Sequence, residues 1–183
     1  MGIDGLTAPA AVFLDRDGVI NRAIVREGRP YAPRRVEDLE VLPGVREALV
    51  RLKAAGFALV VVTNQPDVAR GSLSADTLQA MHDHLAALLP VDEWRVCCHD
   101  DRDGCDCRKP KAGLLTRAPL YDLSRSVVVG DRWRDIEAGR RAGCRASILI
   151  DYGYDEGHAT QPDVRVASLA EAADWILSTM VTA

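Results

Sequence analysis

The sequence predicts an α/β fold, with a parallel sheet at the centre and helices on both of its faces. Three observations carry this. Short, almost wholly apolar runs recur at residues 10–14, 57–62, 126–129 and 146–150, the pattern of strands buried on both sides. Stretches of helical spacing alternate with them, which demands parallel crossovers. Three of the runs end in polar groups, Asp15 and Asp17, Thr63, and Asp131, and open α/β sheets bind ligands beyond the carboxyl ends of their strands.

The composition fits this class. The 183 residues suit one domain spanning 1–183, and 48% hydrophobic content supplies a sizeable core. A net charge of −4 and a pI near 5.6 argue against nucleic acid or an anionic membrane as partner. No run approaches the ~18 apolar residues of a membrane span. The N-terminus shows no basic segment followed by an apolar one, so a cytoplasmic location is expected, and a monomer. Four of the five cysteines, Cys97, Cys98, Cys105 and Cys107, share one short segment. Without a secretion signal, such a cluster indicates metal before disulfide. The only lysines are Lys53, Lys109 and Lys111.

In chain order, residues 1–9 read as a loose leader. The first strand covers 10–15. Residues 18–42 form a long connection with Asn21 and Arg26 among its polar groups, and such connections are often functional. Its basic residues fit either a solvated face or a clamp on an anion. Pro43 suits a first helical position, Val45, Leu49 and Leu52 have helical spacing, and Gly56 is a stop. The run 57–62 is a buried strand that ends in Thr63-Asn64-Gln65. Ser74 caps a helix to about Leu89, with His82 and His84 expected at its surface. Residues 94–97 make a third strand. A helix is expected over 112–121, then a strand over 126–129 that ends in Gly130-Asp131. A helix containing Ile136, Gly139 and Ala142 stops at Gly143, and strands follow at 146–150 and 164–166. Ser168 and Glu171 form a capping box for a last helix that buries Leu169, Ala172, Ala173, Ile176 and Leu177.

Asp15 and Asp17 sit two residues apart at a strand end, so both can reach one site. Like charges that close need a cation between them or a proton on one. A phosphate monoester site would use all of these groups. Asp15 can attack phosphorus and form an aspartyl-phosphate. Asp17 can protonate the leaving oxygen and then deprotonate water. Asp15 and Asp131 offer the hard oxygens that Mg²⁺ prefers. Thr63 and nearby N–H groups can hold phosphoryl oxygens, and Lys109 adds a point charge.

The order Asp15-Arg16-Asp17-Gly18, then Thr63, then Arg108-Lys109-Pro110, then Gly130-Asp131 with Asp135 resembles the haloacid dehalogenase superfamily of phosphatases. The resemblance covers about residues 10–135. It implies a Rossmann-like three-layer sandwich, with Mg²⁺ contacts from Asp15, Asp131 and the main-chain carbonyl of Asp17, and a supporting role for Asp135. The stretches from Phe13 to Asn21, Thr63-Asn64-Gln65, Ala69-Arg70-Gly71 and Cys105-Asp106-Cys107-Arg108-Lys109-Pro110 look like the branch that holds D-glycero-D-manno-heptose 1,7-bisphosphate phosphatases and histidinol-phosphate phosphatases. That branch carries a zinc loop, here about 97–107. Cys97, His99, Cys105 and Cys107 are taken as the ligands of a structural Zn²⁺ that stiffens the loop bearing Arg108 and Lys109, with Cys98 the spare thiol. No large insertion follows the first or second motif, so the fold is expected to be capless. Arg108 is the first choice for a second anionic group or a hydroxyl of the substrate. Asn64, Asn21, Arg26 and Arg132 are further candidates, Arg132 standing where heptose enzymes often carry Lys.

The expected activity is Mg²⁺-dependent removal of the 7-phosphate of a heptose 1,7-bisphosphate, a small phosphorylated sugar. Histidinol phosphate is the alternative substrate, although the arginines of 22–35 favour a bisphosphate. A non-catalytic zinc-loop binding module is the alternative from another class, opposed by the acidic charge and the lack of a second cysteine cluster. A regulatory phosphoacceptor is a third reading, opposed by Asp17, which can activate the hydrolytic water.

Overall fold

A computed structural model describes residues 8–117, 120–156 and 161–180; most of the 1–9 segment lies outside them. Six parallel strands form the sheet. In chain order these are β1 (Ala11–Leu14), β4 (Ala58–Asn64), β5 (Glu93–Cys97), β6 (Val127–Gly130), β7 (Ala146–Ile150) and β8 (Val164–Val166). They are arranged β5-β4-β1-β6-β7-β8. The strand order reverses at β1, which pairs with β4 on one side and β6 on the other. This is the switch point at which such sheets open a crevice.

Alternation along each strand assigns the two faces. Val12, Leu14, Leu59, Val61, Val127, Val129, Ile148 and Ile150 pack with α1 (Val45–Ala54) and α5 (Leu169–Met180). Ala11, Phe13, Val60, Val62 and Val128 pack with Leu114 and Leu115 of α3 (Gly113–Thr116) and Ala138 of α4 (Trp133–Ala142). Leu85 of α2 (Ala75–Leu88) joins the first cluster, and Leu78 and Met81 form a smaller one. The three-layer α/β expectation therefore holds. Ser74 caps α2 by accepting from the Thr77 N–H at 3.0 Å. Ser168 accepts from the Glu171 N–H, and the Glu171 carboxylate reaches the N–H of Ala167, one residue before the cap. Among the described residues no helix is long and apolar enough to cross a membrane.

The 18–42 connection holds an antiparallel hairpin of β2 (Ile24–Arg26) and β3 (Arg29–Tyr31), strands too short to show a period in sequence. Three local expectations are corrected. Pro43 precedes α1 by two residues instead of opening it. The helix expected over 112–121 is one turn, Gly113–Thr116. The buried Arg95 guanidinium donates to the Leu114 and Leu115 carbonyls at 3.0 Å each, which takes the acceptors a continuing helix would use. His84 is exposed as expected, but His82 is buried at 5% exposure, its ring stacked 4.8 Å from that of Trp94.

Candidate active site

The ends of β1, β4 and β6 converge on a cavity of about 300 Å³. Of the residues expected from sequence, Asp15, Asp17, Asn64, Arg108, Lys109, Asp131 and Arg132 line it. Thr63 and Asn21 are buried beside it instead. Thr63 Oγ1 accepts from Gln65 Nε2 at 2.9 Å. Asn21 Nδ2 donates to Asp17 Oδ1 at 2.9 Å, so Asn21 stands behind a cavity carboxylate. Arg26 does not line the cavity.

Lys109 is the hub. It is 1% exposed, and its Nζ lies 2.5 Å from Asp135 Oδ1, 2.7 Å from the Val62 carbonyl and 3.0 Å from Asp15 Oδ1. Burial alone would lower the lysine pKa, but Asp135 and then Asp15 outweigh it and raise the value. Asn64 holds the Lys109 backbone from both sides. Its Nδ2 donates to the Lys109 carbonyl at 3.0 Å, and its Oδ1 accepts from the Lys109 N–H at 3.1 Å. The end of β4 is thereby fastened to the end of the cysteine loop.

Asp15 accepts from the Arg16 N–H at 2.7 Å. Burial first and the Asp135 charge second push its pKa up to about 7, against the pull of Lys109. Asp135 has no spare oxygen, because Oδ1 meets Lys109 and Oδ2 accepts from the Arg132 N–H at 3.1 Å, at the start of α4. Asp131 is the opposite case. Both of its oxygens are buried and neither sits in a hydrogen bond of ordinary geometry, the Tyr154 hydroxyl being the side-chain donor that interacts with it. Burial, then the charges of Asp15 and Asp135, raise its pKa well above the carboxylate range. Burial and then the Asp131 charge also raise that of the Tyr154 hydroxyl. Gly18 makes this close packing possible. Its φ is +84°, and a Cβ there would lie 2.0 Å from Asp131 Oδ2.

An orphaned buried carboxylate beside a second one is what a divalent cation satisfies. Oxygens of Asp15, Asp131 and Asp135 lie within 4.8 Å of one another. With Asp135 committed elsewhere, Asp15 and Asp131 are the pair that fit Mg²⁺. The side chain of Asp17 faces other donors. Arg16 Nε and Nη2 reach it at 3.0–3.2 Å, Asn21 at 2.9 Å, and Gln65 Nε2 at 2.9 Å.

The second cluster forms around β5. The sulfurs of Cys97, Cys105 and Cys107 and Nδ1 of His99 lie within 4.8 Å of one another, with neighbouring distances of 3.1–3.7 Å. A tetrahedron with Zn–S bonds of about 2.3 Å has edges of roughly 3.8 Å, so these four atoms can hold a zinc ion. Cys98 is not among them.

Sequence reasoning did not single out Gln65, Arg134 or Asp101 as parts of the site. Gln65 carried a signal as the last residue of the Thr63-Asn64-Gln65 stretch, but nothing there marks it as a partner of Asp17. Arg134 and Asp101 line the cavity, and Asp101 pairs with Arg108 at 2.7 Å and Arg134 at 3.8 Å. Arg132 is paired with Glu156.

Comparison with known proteins agrees with this geometry. The haloacid dehalogenase-like hydrolase family model matches residues 15–143. A D-glycero-D-manno-heptose-1,7-bisphosphate 7-phosphatase of Thermosynechococcus vestitus is 39% identical over 192 residues, covering 91% of this chain and 94% of the relative. The D-glycero-beta-D-manno-heptose-1,7-bisphosphate 7-phosphatase of Escherichia coli K12 is 35% identical, with 93% and 89% covered. The crystal structure of the D,D-heptose 1,7-bisphosphate phosphatase of B. bronchiseptica, complexed with magnesium and phosphate, superposes with a TM-score of 0.74 at 33% identity, covering 92% of this chain and 98% of that one. With a family model matched over most of its length and relatives this similar along nearly the whole chain, this chain belongs to the haloacid dehalogenase-like hydrolase family and is a phosphatase.

Proposed function

We propose that the chain is a single-domain, Mg²⁺-dependent phosphomonoesterase. In this reading it forms an aspartyl-phosphate on Asp15 and removes the 7-phosphate of a D-glycero-D-manno-heptose 1,7-bisphosphate. One observation carries the mechanism: Asp131 is buried, with neither oxygen in a well-formed hydrogen bond, beside an Asp15 that Lys109 holds in place. Asp15, Asp131 and the main-chain carbonyl of Asp17 would hold Mg²⁺, which when bound offsets carboxylate and phosphate charge.

The protein's own groups do the rest. Lys109 orients Asp15 and keeps a positive charge beside the phosphoryl oxygens. Asn64 lines the cavity at the end of β4, where main-chain N–H groups would supply hydrogen bonds to those oxygens, and Thr63 supports this end from behind through Gln65. An Asp15 oxygen attacks phosphorus while the P–O bond to the sugar breaks, and protonated Asp17 gives its proton to the leaving oxygen. Asp17, now a carboxylate, takes a proton from water. The water oxygen attacks phosphorus, the Asp15–phosphorus bond breaks, and inorganic phosphate leaves with Asp15 restored.

Arg29, Arg70, Arg108, Arg132 and Arg134 line the cavity, which favours a second anionic group on the substrate. The same arginines disfavour a cationic substrate such as histidinol phosphate. Similarity to heptose bisphosphate phosphatases supports the sugar. Cys97, His99, Cys105 and Cys107 bind structural Zn²⁺ and fix the loop that ends in Arg108 and Lys109. The test is phosphate release with Mg²⁺ on both anomers of heptose 1,7-bisphosphate, histidinol phosphate and simple sugar phosphates. A clear preference for one heptose anomer is expected. Preference for histidinol phosphate would overturn the substrate, and full activity of Asp15→Asn would overturn the nucleophile.

A further inference from the structure

We propose that His82, on α2 and behind the cavity, is a positioning residue for the acid–base carboxylate Asp17 and acts through Arg16. The inference rests on the role given to Asp17 above. Arg16 is fully buried, the largest fully buried side chain among the described residues. One edge of its guanidinium, Nε and Nη2, is spent on Asp17 at 3.0–3.2 Å. The other nitrogen, Nη1, lies 3.1 Å from His82 Nε2.

Arginine only donates, so Nε2 accepts. The ring is then neutral, with its proton on Nδ1. The ring plane is not free to turn, because Trp94 of β5 stacks on it at 4.8 Å and 26°. Trp94, His82, Arg16 and Asp17 thus form a chain of planar groups, each fixing the next. A planar fork held at both ends presents its two N–H groups to a carboxylate in one orientation. Asn21 and Gln65 complete the cradle by donating to the same carboxylate. Without the acceptor on His82, Nη1 is a buried donor with nothing to meet, and the guanidinium can rotate away from Asp17 to satisfy it.

The predicted signature is chemical selectivity. Proton donation by Asp17 matters for a poor leaving group such as a sugar alkoxide, and little for a good one such as p-nitrophenolate. In His82→Phe, which keeps the stacking and removes the acceptor, kcat/KM should fall about 10- to 100-fold for heptose 1,7-bisphosphate. For p-nitrophenyl phosphate it should fall less than about threefold, with KM for the sugar little changed. His82→Gln, whose amide oxygen can reach Nη1, should restore most of the loss, and the shorter His82→Asn should not. That pair carries the test if His82→Phe does not fold, or if the wild type ignores the aryl ester.

Equal losses on both esters, or Gln and Asn behaving alike, would overturn the inference while leaving the phosphatase reading intact. Absence of phosphate release by the wild type from both esters would instead overturn the reading on which it rests.

Discussion

Replacing Gly18 by alanine tests how closely the fold and the cation site are bound together. At φ +84° a Cβ would sit 2.0 Å from Asp131 Oδ2 and 2.5 Å from its Cγ. Ordinary contact needs more than 3 Å, so the carboxylate or the loop must move by about 1 Å. The loop cannot yield freely, because the Tyr152 hydroxyl donates to the Gly18 carbonyl at 3.0 Å. A misplacement of this size in a catalytic group costs about 100-fold in rate. The left-handed backbone adds about 1–2 kcal/mol of strain, worth roughly 2–8 °C in melting temperature for a chain of this length. Gly56 provides the control. Its φ is +90°, and a Cβ there meets nothing within 4 Å, so Gly56→Ala carries the strain without the collision. Phosphate release against Mg²⁺ concentration, with a thermal melt of each variant, separates the two effects. Both variants should melt lower, and only Gly18→Ala should lose kcat and need more Mg²⁺. A Gly18→Ala enzyme with wild-type kcat and Mg²⁺ dependence would refute the argument that Asp131 must pack against this glycine to serve the cation.

Three other outcomes are expected. Lys109→Met should abolish turnover and destabilise the fold by about 3–5 kcal/mol, the cost of unpairing buried charges, read by denaturant unfolding. Mg²⁺ affinity measured by calorimetry should weaken below about pH 7, with proton release on binding, because the cation takes Asp15 deprotonated and that group titrates near 7 in the cation-free protein. The same shift makes the folded state hold a proton that the unfolded chain gives up near pH 4, so the stability of the cation-free protein should fall, not rise, between about pH 4 and 7. Chelation of a zinc-loaded sample, or Cys107→Ser, should lower the melting temperature, raise KM and weaken Mg²⁺ binding together, since the cysteine loop ends in Arg108 and in the Lys109 that holds Asp15.

Much of this was legible in the chain because its signals are local. An apolar run such as 57–62 is a strand whatever surrounds it, and the groups just past strand ends had to meet once the sheet was parallel. Lys109 and the four zinc-ligand candidates follow from motif order. What the sequence hid depends on partners far away along the chain. Nothing near Gln65 says that its amide turns to Asp17, 48 residues back along the chain. His82 looks like any polar residue of an amphipathic helix until β5 brings Trp94 and the β1 loop brings Arg16 against it. The β2–β3 hairpin is too short for periodicity, and the helix expected over 112–121 stops after one turn where the distant Arg95 takes the Leu114 and Leu115 carbonyls.

The burial of Lys109 has a practical consequence. The chain holds three lysines, and the side chains of Lys53 and Lys111 are 45% and 46% exposed against 2% for Lys109. An amine-reactive reagent should therefore label two sites quickly on the native protein and spare the third. Mass spectrometry of the digested product would then report, from one peptide, what fraction of a preparation has its reaction centre assembled, without substrate or metal in the tube.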